Sequence, residues 1–435
     1  MRLKTWATLA AALTLPFLHG CGDDNAQKGF VRVVNATSEY TSLDLYKLNS
    51  DGGNDLVVSG TAAGAASAYQ GIDKGSYTFE VKGSTSAGAA TPAPGTISKG
   101  DHFTVVTYFS GNTTKTQFLS DEETNPGSNN AKLRIFNAAP NEAPSVDVYL
   151  TTSACNALAV TDTAFATAVT TLQTAYTQVT AAGAGSTWKV CVFPTGDTST
   201  LLLAIPALTL KNQEIATLIL TRTAGGVLLN ASVLDQQGAL TPYANAIARM
   251  RIVADAASAA TVSATVNDVA LGSATSPIVG DYQTIPSGAV TAAIQIGGID
   301  ISGVSLPAVT AGTDYTLLVA GTVGAPSITL LTDDNTPSTS GSAPVKARFV
   351  NGLNGIGGTA SANVDGKLIG SGTSFATASG YTTIAASTGT ATVNVTANGV
   401  TIAPLLSQTF ASGGVYTVFL LGDTEAAQIV QSVDR

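Results

Sequence analysis

The sequence predicts an all-β protein built as four β-sandwich modules in tandem behind an N-terminal export signal. Three observations carry that prediction: one order of local signals written four times, a period-two alternation of apolar and polar residues inside each copy, and turn-forming residues at the ends of every alternating run. At 435 residues the chain exceeds one ordinary core and suits several domains of roughly 100 to 150 residues. Apolar residues make up 44% and charged residues only 11%, which excludes long, highly charged disordered tracts. The 44 glycines and the 6% aromatic content favour small-residue strands and turns over an aromatic-lined pocket.

The first element is an address. Arg2 and Lys4 give a basic start, the apolar stretch from Trp6 to Leu18 is too short to span a bilayer, and "LHGC" follows. Gly20 before Cys21 resembles the lipobox of bacterial lipoproteins, in which the chain is cut before the cysteine and the cysteine is acylated; His19 departs from the usual pattern. The competing reading is an ordinary secretory signal that leaves Cys21 as a thiol. By resemblance to lipoprotein sorting, Gly22 after the cysteine implies the outer membrane of a Gram-negative cell, with the chain periplasmic or surface-exposed. Removal of residues 1–20 takes away Arg2 and Lys4, leaving 18 Lys and Arg against 29 Asp and Glu, net −11. Such a chain repels nucleic acid and anionic headgroups. Its membrane partner is then its own lipid, at about 0.8 kcal/mol per buried methylene. A short tether, residues 21–28, follows.

Each module then opens on an arginine among apolar residues: "VRVVN" at Arg32, "LRIFN" at Arg134, "MRIVA" at Arg251 and "ARFVN" at Arg348. A tyrosine with Ile or Val three places on comes 31 to 42 residues later, at Tyr69, Tyr176, Tyr282 and Tyr381. A glycine-led alternating stretch and a last signal close each copy: "GDHFTVVTYF", "NQEIATLILT", "GTDYTLLVAG" and "GGVYTVFLLG". The copies occupy 29–121, 131–236, 247–333 and 345–435. Alternation such as Tyr77, Phe79, Val81 places one face of a strand in a core and the other toward water. With about seven such runs per hundred residues, each copy reads as an antiparallel sandwich, immunoglobulin-like or transthyretin-like. The stretch "NALAVTDTAFATAVTTLQTAYTQV" in the second copy has helical alanines and leucines, but its threonines and valines favour strand. Three linkers, Asp121 to Asn130, Gln236 to Ala246 and Asp333 to Pro344, are polar and free of alternation; their charges, "DEE" at Asp121 and "DD" at Asp333, read as solvated. Four modules in a row would reach on the order of 130 Å, and a folded-back arrangement is equally allowed.

The opening of each copy resembles the bacterial extracellular domain of unknown function 4397, whose members begin close to R-V-x-H-A-S-P-D-A-P-x-V-D-V-Y. Arg134, Ala138, Pro140, Ala143, Pro144, Val146, Asp147, Val148 and Tyr149 carry it in the second copy, with Asn137 in place of the histidine and one extra residue before the alanine-proline pair. The first copy keeps Arg32, Ala36, Asp44 and Tyr46, and the last two keep little beyond the arginine, the tyrosine and the strand rhythm. The resemblance implies an envelope location and brings no activity, so no catalytic residues are carried over. The residues themselves suggest structural work: Arg32 with Asp44 and Arg134 with Asp147 as strand-to-strand ion pairs, and the tyrosines as corners that return a hydroxyl to nearby backbone.

Chemistry is sparse. His102 is the only histidine after cleavage, on an alternating strand where it reads as outward-facing, and no G-x-S-x-G elbow, H-E-x-x-H or phosphate loop occurs. A non-enzymatic role without cofactor is expected. Cys155 and Cys191, 36 residues apart, are expected to form a disulfide in an oxidising compartment, worth roughly 2 to 4 kcal/mol. "NSDGGND", with Asp51 and Asp55, is a calcium candidate that lacks the spacing of a known loop, so a solvated hairpin turn is the stronger reading. The functional expectation is a modular spacer, scaffold or interaction surface; the rival is an adhesin that binds glycan or protein. Trp188, close to Cys191, reads as core rather than as a sugar platform.

Overall fold

The structure is a computed structural model that describes residues 27–48, 53–84, 90–111, 113–171, 173–223, 225–338 and 344–435. Module 1 shows the plan shared by all four. Its strands are β1 (Lys28–Asn35), β2 (Ser42–Leu48), β3 (Asn54–Ala62), β4 (Gln70–Asp73), β5 (Gly75–Gly83), β6 (Ala93–Ile97), β7 (His102–Ser110) and β8 (Thr113–Ser120). They form two facing sheets, ordered β4-β1-β7-β8 and β3-β2-β5-β6. That order is of the transthyretin-like kind; an immunoglobulin sandwich groups its strands differently.

The sheets are not wholly antiparallel as expected. β1 runs parallel to β7, Arg32 opposite Thr104. The first strands of modules 2, 3 and 4 pair in parallel with their seventh-strand counterparts in the same way. Five intervening strands supply the long crossover that a parallel pair needs. Among the described residues of its alanine-rich stretch module 2 has no helix: Ala166–Val169 and Thr177–Thr180 are strands, so the β-branched residues decide.

Four separate cores are buried, one per sandwich. Val31, Val33, Leu43, Leu45, Phe79 and Val105 belong to the first, Leu133, Ile135, Val190 and Leu218 to the second, Met250, Ile252, Ile294 and Leu317 to the third, and Phe349, Val393, Val395 and Val418 to the fourth. In β2 the alternation works as the sequence suggests, Leu43 and Leu45 buried and Asp44 and Tyr46 less so. In β1 and β7 it does not, because both faces are covered: Arg32, Val34, Thr104 and Val106 point away from the core yet are buried. The outward faces of modules 1 and 2 meet through Val34, Val106, Tyr108, Leu119, Phe136, Ile219 and Leu234. Modules 3 and 4 meet through Val253, Leu318, Val350, Phe419 and Leu421. The array is therefore folded back into two pairs, each a four-layer stack of sheets.

The pairs also touch. Ile247 of module 3 packs on Leu201, Phe193 and Cys191 of module 2. Arg435 bonds the carbonyls of Gly226 and Asn141 and lies 3.6 Å from Glu142. The linker Gln236 to Ala246 is not all irregular either, since Leu240–Tyr243 adds a fifth strand to its sheet. At the far edge, Pro94 and Pro206 sit in the edge strands of modules 1 and 2. A proline there blocks further pairing because it has no N–H to offer.

Candidate functional site

The chemically distinctive places among the described residues are the two seams between paired modules. Each first strand sends its arginine out of the sandwich and into the seam, where Arg32, Arg134, Arg251 and Arg348 are all buried. Each arginine donates through Nε to a threonine on the neighbouring parallel strand: Thr104 at 2.8 Å, Thr217 at 2.8 Å, Thr316 at 2.9 Å and Thr417 at 3.1 Å. Each also lies over the ring of its module's tyrosine, 4.5 Å from Tyr69, Tyr176 and Tyr282 and 4.9 Å from Tyr381. The ring face is attractive to the cation and costs it no competing hydrogen bond.

The anion comes from the end of the last strand. Asp333 accepts from Thr316 and Tyr282 of its own module, both at 2.6 Å, and is bonded by Arg348 of module 4. In return Arg251 of module 3 donates to Asp434 and Ser432 of module 4, both at 2.6 Å. The exchange is reciprocal, so each module's arginine is neutralised by its neighbour's carboxylate. Burial and the adjacent Asp333 push the Tyr282 hydroxyl far above its ordinary value, which keeps it protonated and donating.

The first seam follows the same plan with one substitution of parts. Asp121 accepts from Thr104 and from Tyr69 at 2.6 Å, and stands 3.7 Å from Arg32 and 3.6 Å from Arg134. Arg32 crosses to module 2 and bonds the carbonyls of Gly238 and Asp235 rather than a carboxylate. The Asp235 carboxylate instead interacts with Glu214, whose carboxyl is raised by burial and by that neighbour.

These contacts correct several expectations. Asp44 does not pair with Arg32: it accepts from the Gly60 amide and the Ser84 hydroxyl, each at 2.7 Å, beside the register shift between β2 and β3. Asp147 likewise binds the amides of Ala168 and Gly196 instead of Arg134. The tyrosines are not corners; their rings support arginines, and the hydroxyls of Tyr69 and Tyr282 go to side-chain carboxylates. Asp121 and Asp333 are not solvated linker charge, each being only 1% exposed. Sequence reading missed the threonine and the closing aspartate, although both recur: "FTVV", "ATLI", "YTLL" and "YTVF", then "LSD", "VLD", "LTD" and "SVD".

Other sites are local. Cys155 and Cys191 form a disulfide with Cα atoms 5.4 Å apart. Trp188 packs against the module 2 core. His102 stacks on Phe30 and holds Glu122 at 3.0 Å. Asp55 lies 3.1 Å from Lys47, while Asp51 and Cys21 fall outside the described residues. Among the described residues no cluster of three His, Cys, Asp or Glu side chains is placed to hold a metal, and no helix is long and apolar enough to cross a membrane.

The residues matched by a known family begin at the first strand and run through the first seam arginines. Residues 29–149 match the family described as Domain of unknown function (DUF4397). That DUF4397 segment covers all of module 1 and the first strand of module 2, so it includes Arg32, Tyr69, Thr104, Asp121 and Arg134. No curated protein matches the chain. Two solved structures, each described as a "putative cell adhesion protein", are similar to it. The one from Bacteroides uniformis is 9% identical, covering 49% of this chain and 99% of its own, with a TM-score of 0.19. The one from Bacteroides ovatus is 10% identical, covering 71% and 97%, with a TM-score of 0.14.

Proposed function

We infer that the protein is a non-enzymatic, lipid-anchored scaffold of the cell envelope, a four-module block that holds an interaction surface away from the outer membrane. The observation that carries this reading is the pair of buried arginine seams. Modules joined by short linkers move independently unless a large apolar interface locks them. Here both faces of the arginine-bearing strands are covered, and arginines bonded across each seam, by reciprocal ion pairs between modules 3 and 4, fix the register of one module on the next. Such construction suits a part that bears position rather than one that opens and closes on a substrate.

Attachment is assigned to acylated Cys21, and the surface it presents to protein or glycan partners. The test is palmitate labelling and fractionation of cells carrying the parent or Cys21→Ala chain, with an antibody probe against module 4 on intact cells. The reading expects Cys21-dependent label, loss of membrane association in the variant, and a rigid particle in small-angle scattering of the soluble chain. A Cys21→Ala protein that stays membrane-bound would overturn the anchor. Saturable binding on a glycan array, lost on mutation of exposed tyrosines, would move the reading to the adhesin.

A further inference from the structure

A second feature lies between the pairs rather than inside them. Where module 2 meets module 3, a cleft of about 430 Å³ opens, within the size range of small-molecule sites and at the kind of domain junction where such sites form. Module 2 supplies Leu201, Ala204 and Pro206 beside the disulfide-tethered loop at Cys155, and module 3 supplies Ile247, Ile285 and Pro286. The wall is therefore largely apolar. One cation breaks it: Lys189, half-buried on the outer face of the strand Ser186–Pro194. No hydrogen bond or ion pair engages its ammonium among the described residues.

Lys28, Lys74, Lys99 and Lys367 likewise face no carboxylate, but Lys189 is the one lysine among the described residues that lines this cleft. Lys47, Lys82, Lys132, Arg222, Arg249 and Lys346 each face a carboxylate within 4 Å. Lys189 needs no packing role either, because Val190 and Val192 supply that strand's core contacts. The exposed carboxylate across the cleft, Asp268, has its own explanation: it sits with Asn267 in a turn where both residues have positive φ, 64° and 48°, a conformation that Asn and Asp tolerate best.

We propose that this cleft binds a small amphipathic monoanion, an aliphatic or aromatic carboxylate or sulfonate, with its apolar body against Ala204, Pro206 and Pro286 and its charge on Lys189. An unpaired lysine at the side of an apolar wall is complementary to such a molecule, since burying the ligand's body removes apolar area from water and also strengthens the attraction between the charges. The proposal is independent of the membrane anchor.

The experiment is titration of the full soluble chain with 1-anilinonaphthalene-8-sulfonate by fluorescence and with decanoate by calorimetry. One saturable site is expected, at least tenfold weaker in Lys189→Ala, retained in Lys189→Arg, and several-fold tighter in Asp268→Asn, which removes the opposing charge. Thr284→Trp, which fills the cleft from module 3, should abolish binding, with circular dichroism and melting to show that the variant is folded. Decanol binding as well as decanoate, or affinity unchanged in both Lys189→Ala and a folded Thr284→Trp, would overturn the proposal.

Discussion

Replacing Asp333 by alanine tests the seam where its parts are densest. The carboxylate is 1% exposed and accepts from Tyr282, Thr316 and Arg348. Removing it strands the Arg348 guanidinium in the seam with the Tyr381 ring and, for hydrogen bonds, Thr417 and the Thr332 carbonyl at 3.1 Å and 3.0 Å. Hydrogen bonds to a charged group are worth about 1.5 to 3 kcal/mol each but do not add. Breaking a buried ion pair from one side costs about 3 to 5 kcal/mol, and that is the expected destabilisation. For a cooperative unit of 150 to 250 residues this lowers the melting temperature by roughly 6 to 20 °C. The assay is differential scanning calorimetry with urea titration of the soluble chain. Adding Arg348→Met should recover much of the loss, because an apolar pair of similar volume can replace a buried ion pair at little cost. As control, Asp55→Ala removes the exposed pair with Lys47 and should change stability by about 1 kcal/mol or less. An Asp333→Ala chain within about 1 kcal/mol of the parent, or no recovery in the double variant, would refute the reasoning.

Two further predictions concern one position of the second seam. Asp255 is fully buried, its Oδ1 accepts from the Gly422 amide at 2.6 Å, and its Oδ2 has no hydrogen-bond partner. Burial, with a smaller push from Asp423, raises its carboxyl to about 8. A raised acid contributes stability that is fully present below its unfolded value near 4 and is lost as pH climbs through the folded value. Melting of the parent should therefore fall between about pH 4 and pH 8, and Asp255→Asn should flatten that slope; equal slopes in the two chains would contradict it. Across the seam, a Cβ at Gly352 would lie 2.5 Å from Asp255 Oδ2 and 2.9 Å from Leu421 Cδ2. Gly352→Ala should then cost about 1 to 3 kcal/mol. Ala36 and Ala138 hold the two equivalent places of the first seam, so Asp255→Ala should rescue Gly352→Ala; a double variant no more stable than Gly352→Ala alone would sink that equivalence.

The sandwich was readable because β2 and β5 each cover one face only, and residues such as Leu43, Leu45, Phe79 and Val81 keep a strict period of two. The pairing of modules was not. In β1 and β7 the runs "VRVV" and "FTVVTYF" are nearly continuous, as strands buried on both sides are, yet the arginine inside them reads as a sign of water. Asp121 and Asp333 misled for the same reason: adjoining acidic residues and turn formers signal solvent, whereas burial here depends on a neighbouring module that local pattern does not report. Local chemistry also outbid the expected ion pairs, since Asp44 and Asp147 sit nearer to amides of their own turns. The disulfide was legible because Cys155 and Cys191 both fall within the second copy, whereas Cys21 lies ahead of the first.

If arginines of one module depend on acceptors of the next, the pair and not the single sandwich is the unit that folds. Residues 246–435, 27–245 and 344–435 can be expressed separately and compared with the full chain by calorimetry. The two-module pieces should melt cooperatively near their transitions in the full chain, and residues 344–435 alone should be unfolded or melt far lower. A lone fourth module that melts at the temperature of its pair would contradict the account.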